Sequence, residues 1–187
     1  EILKNYINAL NAIPVTERRK SYKTESHERV VIDLKSPREE ETLSKRLIGL
    51  KLDTLGVALD YQIPLKDTHK NSGLGKIDLL SYNSSTNTIY LIEVKAYKNK
   101  ETLLRAALEI FTYSKILDHD KLVADYSLTA QGNPTAIIPT VLVTPETQAY
   151  TQISELVDGR HPCLKELLNQ CGIQLFSLNG SVKKFEI

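Results

Sequence analysis

The sequence predicts an α/β domain built on a mixed central β-sheet flanked by helices. Three observations predict it. Near-continuous apolar runs at 88–94 and 136–144 read as strands covered on both faces. Amphipathic helical patterns occupy 37–55 and 99–118, one on each side of a strand hairpin. Short turn clusters separate these pieces, with no internal repeat and no low-complexity stretch.

Composition bounds the rest. The chain has 187 residues, 41% hydrophobic and 25% charged, which suits a single domain with a real core. The expected division is an N-terminal extension over 1–36, a core over 37–145, and closing helices and strands over 146–187. No apolar run approaches the roughly 18 residues a membrane span requires. Glu1-Ile2-Leu3-Lys4-Asn5 is amphipathic and unlike the apolar stretch of a leader, so a cytoplasmic protein is expected. A formal net charge of +1 gives no general basic footprint, and only a local patch could serve nucleic acid. Cys163 and Cys171 have no His or Cys neighbours in sequence, which excludes a zinc site and a disulfide framework. His27, His69, His119 and His161 are scattered, with no paired spacing.

Taken in order, residues 2–12 carry Ile2, Leu3, Tyr6, Ile7 and Leu10 at helical spacing, and Pro14 ends the pattern. This helix is expected to pack on the core or on a neighbouring subunit of a homodimer. Residues 16–29 are polar, with Arg18-Arg19-Lys20 and Lys23, and read as a solvated loop or as a basic arm for phosphates. Residues 30–34 suggest a brief strand. Ser36-Pro37-Arg38-Glu39 is a helix start, with Ser36 to cap, Pro37 at the first position and Glu39 completing a capping box. That helix is expected to run toward Gly56 with Leu43, Leu47 and Leu50 inward. A strand follows at 57–65, then a polar loop at 66–72 closing at Gly73 and Gly75.

Two strands at 76–82 and 88–97 flank Asn83-Ser84-Ser85-Thr86-Asn87, a turn by composition. They hold three ionisable groups inside apolar segments: Asp78, Glu93 and Lys95. Glu93 and Lys95 are two apart and share a face, while Tyr90, Ile92, Val94 and Ala96 take the other. Charges inside a sheet are costly unless paired or metal-bound. A salt bridge of Lys95 with Glu93 or Asp78 would satisfy the same residues. The helix at 99–118 presents Leu103, Leu104, Ala107, Leu108 and Phe111, with Glu101 and Arg105 as an i,i+4 ion pair. Residues 118–134 read as a long connection, and 147–158 and 162–171 as helices. Two last strands flank Asn179-Gly180, the strongest hairpin dipeptide.

Gly75-Lys76-Ile77-Asp78, followed by Ile92-Glu93-Val94-Lys95, resembles the signature of the PD-(D/E)XK nuclease superfamily: an Asp on one strand, then Asp/Glu-x-Lys on the next. The order helix, three strands, helix, strand over 37–145 is similar to that family's restriction-endonuclease-like αβββαβ core. No Pro precedes Asp78. Glu109-Ile110-Phe111-Thr112-Tyr113 resembles the Gln-Leu-x-x-Tyr segment of RecB-like members, with Glu109 in place of Gln.

The resemblance implies a metal-dependent nuclease, acting on DNA in preference to RNA. Asp78, Glu93 and the Val94 carbonyl would hold Mg²⁺, with Mn²⁺ as substitute. Lys95 would orient or help deprotonate the attacking water. A Glu on the preceding helix often joins such sites; Glu40 is the choice here, with Glu39 and Glu41 as alternates. Lys76, Lys98, Lys100, Arg105, Glu109 and Tyr113 are the expected nucleic-acid contacts. The alternative is a nuclease-fold module without catalysis, serving nucleic-acid binding or assembly.

Overall fold

Among the described residues, six strands form one open mixed sheet whose spatial order follows the chain. They are β1 (Val57–Pro64), β2 (Lys76–Asn83), β3 (Thr88–Lys95), β4 (Ala136–Val143), β5 (Gln174–Asn179) and β6 (Ser181–Lys184). The structure, a computed structural model, describes residues 2–33, 35–66, 75–129, 132, 134 and 136–187. Its helices are α1 (Ile2–Asn11), α2 (Glu39–Leu47), α3 (Leu103–Ile116), α4 (His119–Asp125), α5 (Gln148–Val157) and α6 (Pro162–Gln170). β1, β2 and β3 form an antiparallel meander. β3, β4 and β5 run parallel, and β6 returns antiparallel on β5. No helix of the described residues is long and apolar enough to cross a membrane.

The sheet separates two cores. On one face, residues of α1, α3, α4, α5 and α6 pack against Ile89, Leu91, Val141 and Val143. On the other, Leu43 and Leu47 of α2 and Leu55 pack against Tyr90, Ile92, Val94 and Ala96. β3 is buried at every position, as its unbroken apolar run requires. Pro139 explains where β4 gains its second neighbour. β4 pairs with β3 from Ala136 onward but with β5 only from Thr140, beyond the residue that lacks an N–H.

Several sequence expectations are corrected. α2 ends at Leu47 rather than near Gly56. Gly49 turns to φ +79° and gives its N–H to the Ala58 carbonyl at 2.9 Å, so the chain leaves the helix to edge the sheet. Leu50 is therefore half-exposed rather than inward. Ser36 does not cap the helix; its Oγ accepts the Arg38 N–H, and Arg38 itself holds the cap position. Residues 30–33 form no strand, and Val31 is 72% exposed, because no neighbouring strand is there to pair with them. Leu34, most of the 66–72 loop, Gly73 and Asn133 lie outside the described residues.

The helix expected over 99–118 starts later, at Leu103, where the Thr102 hydroxyl accepts the Arg105 N–H. Leu104 faces solvent while Ala106 and Ile110 take the core. The 118–134 connection contains α4, started by an Asp118 side chain that accepts the Lys121 N–H at 3.0 Å.

Residues 16–29 are mostly exposed, as expected of a solvated loop, but two buried side chains anchor the segment to the fold. Tyr22 is buried, with its N–H on Asp125 and its hydroxyl accepting the Asp118 N–H. Arg18 is also buried and donates to the carbonyls of Lys66 and Ser21, while Arg19 and Lys20 stay exposed. A 3-10 turn at Glu25–Glu28 carries His27 onto β1, where it meets buried Asp60 at 2.7 Å and stacks on Tyr61.

Gly56 enters β1 at φ +75°, where a Cβ would stand 2.1 Å from the Tyr82 carbonyl oxygen. Backbone on both sides of that contact leaves nothing to yield. Gly56→Ala should lower stability by about 3 kcal/mol, read from the urea midpoint at unchanged slope. A midpoint equal to that of the unsubstituted chain would contradict this packing.

Candidate functional site

The β2–β3 ladder runs from Asn83↔Thr88 to Leu79↔Ile92 and stops. One more step of the same register would set Asp78 opposite Glu93, and the next Ile77 opposite Val94. Instead, Oδ2 of Asp78 accepts the Val94 N–H at 3.0 Å. A carboxylate thus takes the donor that a β2 carbonyl would otherwise have taken. Backbone alternation leaves the Val94 carbonyl on this same opened edge, because the Lys95 carbonyl turns the other way to accept the Thr144 N–H at 3.0 Å. Behind the opening, β3 stays paired with β4 out to Lys95↔Val143, which gives the site a rigid back.

The second oxygen of Asp78 is held by a residue with no sequence signal. Gln62 Nε2 donates to Asp78 Oδ1 at 2.8 Å. Gln62 lies within β1 yet adopts φ +48°. A long side chain rarely takes this left-handed backbone, and strand periodicity cannot foretell it.

Glu93 and Lys95 are each 4% exposed and face α3, as alternation predicts. Lys95 Nζ lies 2.8 Å from Glu93 Oε1 and 2.6 Å from Glu101 Oε2. The second contact is an ion pair in which the Glu101 oxygen receives no well-aligned hydrogen bond. Glu101 also meets Arg105 at 3.2 Å, the expected i,i+4 pair. Its role toward Lys95 was missed because the pair with Arg105 already accounted for it.

Of the three acidic residues opening α2, only Glu40 reaches this point. Its Oε1 accepts from Asn99 Nδ2 at 2.6 Å, and its charge acts on both Lys95 and Asp78. Glu41 pairs with Lys45 and Arg38 instead, and Glu39 is exposed. From α3, Glu109 acts on Asp78 and Glu93 while accepting the Tyr113 hydroxyl at 2.7 Å. Tyr113 explains Gly75: a Cβ there would sit 2.0 Å from the phenol oxygen. Lys76, Lys98, Lys100 and Arg105 are exposed, so none is consumed by the core.

Burial dominates the electrostatics. Asp78 keeps a strip of accessible surface, but protein atoms crowd its carboxyl and push its pKa up to about 7, against the opposing pull of the Val94 N–H and Lys95. Glu93 is raised well above the carboxylate range, first by burial and then by Asp78. Glu40 is raised by burial too, and Lys95 pulls against it. For Lys95, burial opposes the charge, yet Glu93 and Glu101 outweigh it and hold its pKa above the ordinary lysine value.

Asp78 and Glu93, two crowded carboxyls with the single ammonium of Lys95 beside them, are only partly compensated when both are ionised. Such a site gains from a cation. Among the described residues, no three His, Cys, Asp or Glu side chains gather closely enough to hold one alone. Were a cation held here, Asp78, Glu93 and the Val94 carbonyl would offer it a sparse donor set of hard oxygens. It fits Mg²⁺, which keeps several waters and takes one or two carboxylates, better than ions that need a full protein cage. Comparison of the chain with family models, with curated proteins and with solved structures finds no match in any of the three.

Proposed function

We propose that this chain is a metal-dependent nuclease of the PD-(D/E)XK superfamily that hydrolyses DNA phosphodiester bonds. The observation that carries the proposal is the convergence of Asp78, Glu93 and Lys95 where the β2–β3 ladder opens. The order α2, β1, β2, β3, α3, β4 agrees with that family's core, with α4 as an insertion.

Phosphodiester hydrolysis needs a nucleophilic water, neutralised phosphate oxygens and a stabilised leaving group. Bound Mg²⁺ would supply Lewis acidity and an activated water. Asp78 and Glu93 would hold it, with Gln62 and the Val94 N–H fixing the Asp78 carboxylate in orientation. In the metal-free site Glu93 and Glu101 favour the protonated form of Lys95, which suits it as a positive hydrogen-bond donor to phosphate. Glu40, through Asn99, orients the turn after β3. Exposed Lys98, Lys100 and Arg105 surround the acidic centre with cations suited to a phosphate backbone.

Purified protein with Mg²⁺ or Mn²⁺ should nick or degrade DNA, and Asp78→Asn should remove the activity. Equal cleavage by the variant and the unsubstituted chain would overturn the proposal. Absence of cleavage together with no saturable Mn²⁺ binding by calorimetry would instead point to a non-catalytic module of the same fold.

A further inference from the structure

Two residues beyond Lys95, the chain does something the fold does not require. Tyr97 adopts φ +51° and leaves 37% of its surface exposed. A bulky aromatic residue is disfavoured in this left-handed backbone, where Gly or Asn would serve. A residue left this exposed also forgoes part of the burial that large aromatics ordinarily gain. The conformation is nonetheless held firmly. The Tyr97 N–H donates to Thr144 Oγ1 at 2.8 Å, and its carbonyl accepts the Asn99 N–H at 2.7 Å. Asn99 is fixed in turn by Glu40, by the Gln148 N–H at 3.0 Å and by the Glu101 N–H at 2.7 Å. The turn that carries Tyr97 is therefore bonded to two residues that flank the acidic centre.

The ring has cationic company. Arg46 Nη1 lies 3.4 Å from the phenol oxygen, and Lys98 and Lys100 are exposed beside it in the chain. A partly exposed aromatic side chain on a firmly bonded turn, among cations, suits the binding of unpaired nucleobases. The face accepts a base by stacking, and the cations take the neighbouring phosphates. Paired bases in a duplex are already stacked on one another and cannot use such a face without leaving the helix.

We propose that Tyr97 is a stacking platform for an unpaired base, so that the site engages a single-stranded segment of its nucleic-acid substrate. This rests on the nuclease reading above and names the substrate form for that same site. Arg46, Lys98 and Lys100 contact the phosphates of the stacked nucleotide and its neighbours.

The test is fluorescence anisotropy of the full chain in EDTA, with a labelled single-stranded oligothymidylate and a duplex of matched length. Tyr97→Ala should weaken single-strand binding roughly 5- to 150-fold, and Tyr97→Phe should keep it. The salt dependence of affinity should be unchanged in Tyr97→Ala, since stacking releases no counterion. It should flatten when Lys98 and Lys100 are both replaced by Ala. Duplex affinity should hardly respond to Tyr97→Ala. Tyr97→Gly, which relieves the left-handed backbone, should bind weakly yet melt no lower than the unsubstituted chain, which separates lost binding from unfolding. Single-strand binding by Tyr97→Ala equal to that of the unsubstituted chain would overturn the inference, as would a loss shared equally by the duplex. If DNA cleavage persists under either outcome, the nuclease reading stands while the platform falls. A chain that binds neither strand form in EDTA overturns the platform, and the metal-dependent cleavage assay then decides the nuclease reading by itself.

Discussion

Lys95→Met should reduce metal-dependent DNA cleavage by about 10²- to 10³-fold, the usual cost of removing one charged or hydrogen-bonding group aimed at developing charge. Met keeps most of the volume at a position that is 4% exposed, so the comparison isolates the ammonium. The same change has a second, independent reading in stability. Lys95 lies against Glu93 and Glu101. Without it, buried Glu93 loses its counter-charge and Glu101 keeps only Arg105, at a cost of about 3–5 kcal/mol when both are ionised. That cost depends on pH in a definite direction. Lys95 holds the pKa of Glu101 below its ordinary value, and a depressed carboxylate adds stability above its unfolded pKa that is lost as pH falls through the folded one. Removing Lys95 removes that contribution at pH 8 and matters progressively less as pH falls below the ordinary carboxylate value. Thermal melts of the variant should therefore fall far below the unsubstituted chain at pH 8 and approach it in acid. Undiminished cleavage in a folded Lys95→Met protein would exclude Lys95 from the chemistry.

The metal-free protein should lose stability as pH rises from 5 to 8, opposite to the trend of a chain whose carboxylates sit in ion pairs. Asp78 drives this. Its folded pKa is raised from 3.8 to about 7, mainly by burial. A carboxyl raised in this way contributes stability that is complete below its unfolded pKa and is lost as pH passes through its folded value. A gap of about three pH units corresponds to at most about 4 kcal/mol. Glu93 is raised in the same direction and adds to the slope. Urea titrations at pH 5 and pH 8 measure the effect directly. Asp78→Asn should flatten the dependence, since an amide can still accept the Val94 N–H while its NH₂ faces a turned Gln62 amide. Mn²⁺ at about a hundred times its dissociation constant should restore about 3 kcal/mol at pH 8. A stability that rises steadily to pH 8 without metal would show that these carboxyls are not strained by burial.

Much of the site was legible because strand alternation and turn chemistry are local. Asn83 to Asn87 read as a turn, and Asn87 takes φ +50° as that residue type permits. The shared face of Glu93 and Lys95 followed from spacing alone. Glu40 was chosen from three adjacent acids by its place on the helix face, and its two neighbours pair or point elsewhere. The parts that were not legible depend on distant backbone geometry. Gln62 reaches Asp78 only because one residue of β1 is left-handed, a feature no periodicity announces. The end of the β2–β3 ladder is likewise a matter of strand divergence. Glu101 had a satisfactory local partner, and a single carboxylate was not expected to serve two cations. Arg18 and Tyr22 sat in a charged stretch whose burial depends on residues about 50 to 100 positions away. α4 did carry a signal in Asp118, but seven residues are too few for a pronounced stripe.

The anchoring of Tyr22 bears on the order in which the molecule assembles. Its bonds to Asp118 and Asp125 close loops of 96 and 103 residues, and Tyr126 and His27 meet on Asp60 across 66 and 33 residues. Such closures become favourable only after the sheet and α4 are in place to receive them. The pairing of β2 with β3 spans a turn of four residues, 84–87, and can form early. The N-terminal strap is thus the last part to dock and the first to detach in partial opening. Amide hydrogens of residues 16–29 should exchange with solvent well before those of β3. The β2–β3 hairpin belongs to the slow-exchanging nucleus and would persist while the strap is loose.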